Sequence, residues 1–263
     1  LAMSFHVPGK IAGMAIEAGV QKTRLSLPTM LMLGFLGGAF ISLGFLLDIR
    51  VIGNLPQHWG SLSNLLGGIV FPLGLILVIL AGGELITGNM LSVSIALYAR
   101  KISLKQLLNN WFWVTLANFA GALFVAYFFG HVVGLTESGP YLGKTVAIAQ
   151  AKLQDSFGQT LISAIGCNWL VCLAIWIAYG ADDIIGKIVG MWFPIMAFVA
   201  IGFQHVVANM FVIPAAIFAG HFSWAEFAGN IVPAFIGNAI GGAVFVGFAY
   251  FFSFQKSLKE KGI

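Results

Sequence analysis

Two apolar stretches of this chain, Leu65 to Tyr98 and Ile188 to Ala219, run for 34 and 32 residues. At about 1.5 Å per residue they would make helices near 50 Å long, whereas a hydrocarbon core is about 30 Å thick. Neither stretch can be one straight crossing. Each carries an interruption at its middle, Gly82-Gly83-Glu84 in the first and Gly202-Phe203-Gln204-His205 in the second. Backbone that leaves the helix at membrane depth is tolerated only where protein buries it or where it lines a watery cavity. The pair of interruptions therefore restricts the chain to polytopic membrane proteins with two broken helices.

The remaining spans read Leu27 to Leu47, Leu107 to Phe129, Leu161 to Tyr179 and Ile231 to Phe252. The chain is 59% hydrophobic and 8% charged, so no stretch is left for a soluble enzymatic domain. Ahead of the first span, Ile11, Met14, Ala15 and Ala18 fall at helical spacing among Lys10, Glu17 and Lys22, as in a helix lying on a membrane surface. The expected organisation is an amphipathic segment over 1–26, a three-helix unit over 27–130, a connection over 131–160, a second three-helix unit over 161–252 and a tail over 253–263. Placing the N-terminus inside puts ten lysines and arginines in inner segments and leaves Arg50, Lys144 and Lys152 outside. Both termini are therefore expected on the cytoplasmic side of a cell membrane, and the basic balance needs no nucleic-acid partner.

The two broken spans are copies. Gly83-Glu84-Leu85-Ile86-Thr87-Gly88-Asn89-Met90 lies over Phe203-Gln204-His205-Val206-Val207-Ala208-Asn209-Met210, with Phe71-Pro72 and Phe193-Pro194 upstream. Asn118-Phe119-Ala120-Gly121 lies over Asn238-Ala239-Ile240-Gly241 at the same spacing of 120 residues. An odd number of crossings reverses direction, so the repeat is inverted. Inverted repeats with broken helices place a permeation or binding site near the bilayer midplane.

Other chemistry-bearing residues form no constellation. Cys167 and Cys172 face different sides of one helix, which excludes a disulfide or metal clip between them, and His6, His58, His131 and His221 have no metal-ligand spacing. Trp111-Phe112-Trp113 and Tyr127-Phe128-Phe129 read as interfacial anchors. Leu1-Ala2-Met3 lacks the head and cleavage site of a signal peptide and reads as an expression scar ahead of Met3. An intramembrane hydrolase would need GxSxG or HExxH, and neither is present.

The stretches Gly82-Gly83-Glu84-Leu85-Ile86-Thr87, Asn168-Trp169-Leu170-Val171-Cys172-Leu173-Ala174 and Gly202-Phe203-Gln204-His205-Val206-Val207-Ala208-Asn209-Met210 closely resemble the formate/nitrite transporter family. The resemblance runs from about Ile11 to Phe252. It implies an aquaporin-like fold of six helices, a homopentamer with one pore per protomer, no cofactor, and passage of formate, nitrite, hydrosulfide, acetate or lactate. By that resemblance Thr87 and His205 form the central polar pair with Asn168 and Asn209 nearby. It also implies apolar constrictions at Phe71, Phe198, Leu75, Val171 and Leu85, a vestibule lysine at Lys152, and gating of the inner mouth by the N-terminal helix. The enteric formate and nitrite channels that the chain resembles have glutamate before the histidine, where this chain has Gln204, a neutral amide that cannot favour an imidazolium by charge.

A bare anion meets a cost of many kcal/mol in such a slit. A weak acid escapes it if a central donor protonates or hydrogen-bonds the anion, and His205 is the side chain near the break suited to that exchange, with Thr87 beside it. Formate is the expected substrate. Lys152 is expected to concentrate anions at the outer mouth. Glu84 is expected off the pore wall, bracing its loop by accepting backbone hydrogen bonds with Gln204 in the matching place, and Asn168 and Asn209 are expected to orient His205. The nearest alternative is an aquaporin-like channel for neutral solutes, although Asn89-Met90-Leu91 and Asn209-Met210-Phe211 stand where Asn-Pro-Ala would be.

Overall fold

The structure, a computed structural model, describes residues 5–260. The start at Leu1-Ala2-Met3 and the end of the tail, Lys261 included, lie outside the described residues. Helix α1 spans Pro8–Thr23 and precedes the first crossing, α2, Leu27–Ile52. The second crossing is split into α3, Ser61–Gly82, and α4, Ile86–Tyr98; the third is α5, Leu104–Val132. Helix α6, Pro140–Leu153, then leads into α7, Phe157–Gly180. The split fifth crossing comprises α8, Ile184–Ile201, and α9, Val206–Phe218; α10, Trp224–Ser253, is the sixth, and α11, Gln255–Glu260, follows.

The splits fall where the glycine pattern requires them. Gly82 and Gly202 have φ of 102° and 88°, the left-handed region that glycine enters without a Cβ penalty. The chain then runs extended through Leu85 and through His205, each at the N-cap of its half-helix. Both half-helices are buried along almost their whole length. Leu85 and His205, at their broken ends, are buried in protein, which meets the requirement for irregular backbone at this depth.

Around the half-helices, full crossings approach backbone to backbone. A methyl group on Gly38 would overlap the Asn118 carbonyl, and one on Gly121 the Phe35 carbonyl, so α2 and α5 cross in contact. Gly237 over Leu161 and Gly241 over Ile165 repeat that contact between α10 and α7. Small residues at such crossings supply the van der Waals packing that replaces the hydrophobic effect in lipid. Outward positions such as Met32, Phe112, Phe193, Ile201 and Phe252 stay exposed, as a lipid-facing surface should.

The repeat is larger than three helices. Helix α1 packs on α4, and α6 packs on α9. Ser26 caps α2 and Ser156 caps α7 through the same side-chain bond to the third residue on. Ser103 with Gln106, and Ser223 with Glu226, form matching capping boxes on α5 and α10. Pairs before the break match at a spacing of 130 residues and pairs after it at 120, because the second copy has a shorter link and a shorter first half-helix.

Candidate permeation site

Each half-helix begins with backbone N–H groups that have no helical partner, and an asparagine from the following crossing meets them. Asn118 Oδ1 accepts from Ile86 N at 2.9 Å while its amide donates to the carbonyls of Gly34 and Glu84 at 2.7 Å. Asn238 does the same in the second copy, accepting from Val206 N at 2.8 Å and donating to Ala164 and Gln204. These two fully buried side chains hold both breaks open in one conformation.

A second pair of networks ties each loop to its neighbouring amphipathic helix. In the first copy Glu84 Oε1 accepts from Lys22 Nζ and Oε2 from Asn89 Nδ2, both at 2.7 Å; Asn89 also donates to Asn110, whose amide donates to the Lys22 carbonyl. In the second copy Gln204 Oε1 accepts from Asn209, which also donates to Asn230, whose amide donates to the Lys152 carbonyl. The difference lies at the end group. Gln204 Nε2 donates to the Lys152 carbonyl and to Asp155 Oδ2, and Lys152 Nζ donates to the Gly202 and Phe203 carbonyls at 3.0 and 2.8 Å.

At the centre Thr87 Oγ1 and His205 Nε2 are 3.1 Å apart, both groups buried. His205 Nδ1 accepts the Ala208 N–H at 3.0 Å as the cap of α9. A backbone N–H can only donate, so Nδ1 carries no hydrogen in this arrangement and the neutral ring bears its hydrogen on Nε2, toward Thr87. The Phe198 ring stacks on the imidazole at 5.6 Å between centroids, and Phe71 meets Phe198 edge-on at 5.5 Å.

Two cavities flank this centre and share no lining residue. One of about 290 Å³ opens on the α6 face, lined by Asp48, Phe71, Lys144, Lys152, Phe198 and His205 among others. The other, about 300 Å³, opens on the α1 face and includes Lys22, Glu84, Leu85, Asn89, Ser92 and Tyr179. Leu75 and Val171 are buried in the apolar core and line neither.

The structure thus brings Thr87, His205, Phe71 and Phe198 together, with Lys152 on the adjoining cavity. It corrects the expectation for Glu84 on two points: its donors are the side chains of Lys22 and Asn89 rather than backbone, and it stands on a cavity wall. Nor do Asn168 and Asn209 hold the imidazole. The Asn168 amide donates to the Thr87 and Asn238 carbonyls, and the Asn209 amide is spent on Gln204 and Asn230. The sequence alone does not reveal the site roles of Lys22, Asn110, Asn230 and Asp155, which depend on chain segments far apart in sequence. The 120-residue spacing between Asn110 and Asn230 is a signal that could have found those two.

A family profile described as formate/nitrite transporter matches residues 9–252. The chain belongs to the formate/nitrite transporter family. Among its relatives in that family, the formate channel BtFdhC of Bacillus thuringiensis is 70% identical, the alignment covering 97% of this chain and 98% of the relative. The uncharacterized transporter YrhG of Bacillus subtilis is 71% identical over 98% and 97%. Of the solved structures, an FNT family ion channel superposes with a TM-score of 0.85 at 28% identity, covering 93% of this chain and 98% of that one. A pentameric formate channel with formate bound gives 0.75 at 30%, covering 87% and 98%. The fold is thus that of the formate/nitrite transporters: six membrane helices in two inverted repeats, the second and fifth broken.

Proposed function

We propose that this multi-pass membrane protein is a channel for small monovalent anions of weak acids, formate foremost, with nitrite and hydrosulfide as substrates of the same type. The observation that carries the reading is the pair of cavities that share no lining residue, one reaching Phe71, Phe198 and His205 and the other Leu85 and Gly88, with Thr87 bonded to His205 and lining neither. An anion entering from the α6 face passes Lys144 and Lys152, whose charge raises its local concentration. It then meets aromatic rings that offer no replacement for its hydration shell. The Nε2 hydrogen of His205 and the Thr87 hydroxyl are the donors that can take over there, so the species in the slit is hydrogen-bonded or neutral rather than bare. The α6 face is the outer one by the distribution of positive residues, and the pentameric relative supports a homopentamer.

Liposomes holding the purified protein test this. Formate uptake above that of chloride, lost in His205→Phe, is the expected result. A His205→Phe protein that carries formate at an unchanged rate and with an unchanged pH dependence removes the histidine from the mechanism. Swelling in glycerol without formate uptake replaces the reading with a neutral-solute channel.

A further inference from the structure

The mechanism above leaves one buried ionisable group on the cavity wall without a task. Asp48 stands one turn before the end of α2, is 3% exposed, and lines the α6-face cavity with Phe71, Phe198, Lys144, Lys152 and His205. Among the described residues its Oδ1 has no hydrogen-bond donor, and no cation stands within ion-pair distance of either oxygen. The place is shaped for it. A methyl group on Gly67 of α3 would overlap Oδ1, so the bare glycine makes the room that the carboxyl group fills.

A fixed negative charge at the mouth of an anion path would oppose the anions that Lys144 and Lys152 gather there. Burial of a carboxylate with one oxygen unpartnered is also costly. A carboxyl group that carries a proton has neither defect and is itself a hydrogen-bond donor. The charged and titratable groups facing it are few: Lys144 and Lys152 from α6, and His205 from the break before α9. Helices α3, α4 and α9 bring no charged side chain. Arg50, on α2 itself, donates to the Leu135 carbonyl and lies over the Tyr141 ring, and His131 of α5 is held by Glu137 at 2.6 Å. His205 is a poor source of a proton in this arrangement, because Nδ1 accepts from Ala208 and the one hydrogen on Nε2 is engaged with Thr87.

The geometry points to Asp48 as the proton-bearing group of the α6-face cavity, which protonates the weak-acid anion before it enters the gap between Phe71 and Phe198. The inference rests on the channel reading above. In the step, an oxygen of the anion takes the carboxyl hydrogen: the O–H bond of Asp48 breaks, an O–H bond forms on the anion, and Asp48 is left as a carboxylate opposite the two lysines. The neutral acid moves on to the Thr87–His205 centre. Hydronium from the bulk on the α6 side returns the hydrogen to Asp48 and leaves as water. Transfer to formate leaves the buried carboxylate behind, so the step is uphill in the cavity and is drawn forward by departure of the neutral acid and by the return of a hydrogen from the α6-side bulk.

Wild-type and Asp48→Asn proteins reconstituted with a trapped pH dye are compared for formate uptake and internal acidification, from mildly acidic to mildly alkaline external buffer. The expected result is a loss of about tenfold in uptake, the effect of roughly 1.4 kcal/mol on a barrier, together with a flattened rise toward acid. Uptake and pH slope equal to wild type overturn the inference. So does faster uptake, which is what removal of a fixed repelling charge would give. Wild-type liposomes that take up no formate at any pH strike at the channel reading instead. If Asp48→Asn does not assemble, infrared difference spectra of the wild type with isotopically labelled formate decide the matter. A protonated-carboxyl band that formate bleaches supports the assignment, and its absence overturns it.

Discussion

In the first repeat the residue at the cap of the half-helix is Leu85, and the loop before it ends in an ion pair, Glu84 with Lys22. In the second repeat the cap is His205, and the corresponding bracing is neutral at its core, Gln204 between Asn209 and Asp155, with the Lys152 ammonium turned onto backbone carbonyls. The asparagines that fix the two breaks are the same, Asn118 and Asn238, making the same three hydrogen bonds. What duplication conserved is the means of opening the backbone. What it let diverge is the side chain presented at the opening and the charge behind it. A symmetric scaffold thus carries a one-sided centre.

The largest test of that division exchanges the caps. His205→Leu gives the second half the first half's residue, keeps the Asn238 bracing while giving up the bond from Ala208, and should reduce formate flux about a hundredfold, the low end of what losing one preorganised donor to a charged oxygen costs. A milder loss in liposomes would move the chemistry away from the cap. Next in size, Asn118→Leu and Asn238→Leu each strand a buried N–H and two carbonyls, at a cost of about 3 kcal/mol or more apiece. Thermal unfolding of the two variants in detergent should drop by similar amounts, and a drop in only one would break the equivalence of the breaks.

Gln204→Glu makes the second loop chemically like the first, but sets a carboxylate against Asp155, which now accepts from the Gln204 amide at 2.9 Å. A loss of about 1–3 kcal/mol is expected from the two Nε2 bonds replaced by like-charge contact. Protonation removes that repulsion, so the loss should shrink as the buffer is made acidic; a loss independent of pH would mean Asp155 is not the neighbour that matters. Smallest of all, Lys152→Gln should lower formate uptake about two- to threefold at low salt and less at high salt, since its field on the cavity is screened. Salt-independent loss would assign Lys152 to the loop alone, through the Gly202 and Phe203 carbonyls.

The breaks were legible because their signal is local: a run too long for the membrane, and glycine at the turn. The 120-residue spacing made Asn118 and Asn238 visible as a pair, although not as the groups that accept from Ile86 and Val206, which depends on helices crossing at Gly38 and Gly237. From sequence, helix α6 is no more than part of a connection. Its kinship with α1 lies at a spacing of 130, on the far side of the shortened link, and its apolar pattern differs. The bracing of Glu84 is hidden in the sequence because its partner Lys22 lies 62 residues away on a helix expected to lie on the membrane surface. Asp48 carried no pattern at all. A single carboxylate in an apolar run becomes conspicuous only once Gly67 and the cavity are seen around it.

The bond from Ala208 to His205 Nδ1 has one more consequence. An imidazole that relays charge through itself, as in a proton wire, must gain a hydrogen at one nitrogen while losing one at the other. Here one of the two doors is bolted by the helix, so the ring has a single working atom and any traffic there must arrive and depart by the same route. His205 can hold a passenger for a moment. It is not arranged to conduct one through the ring.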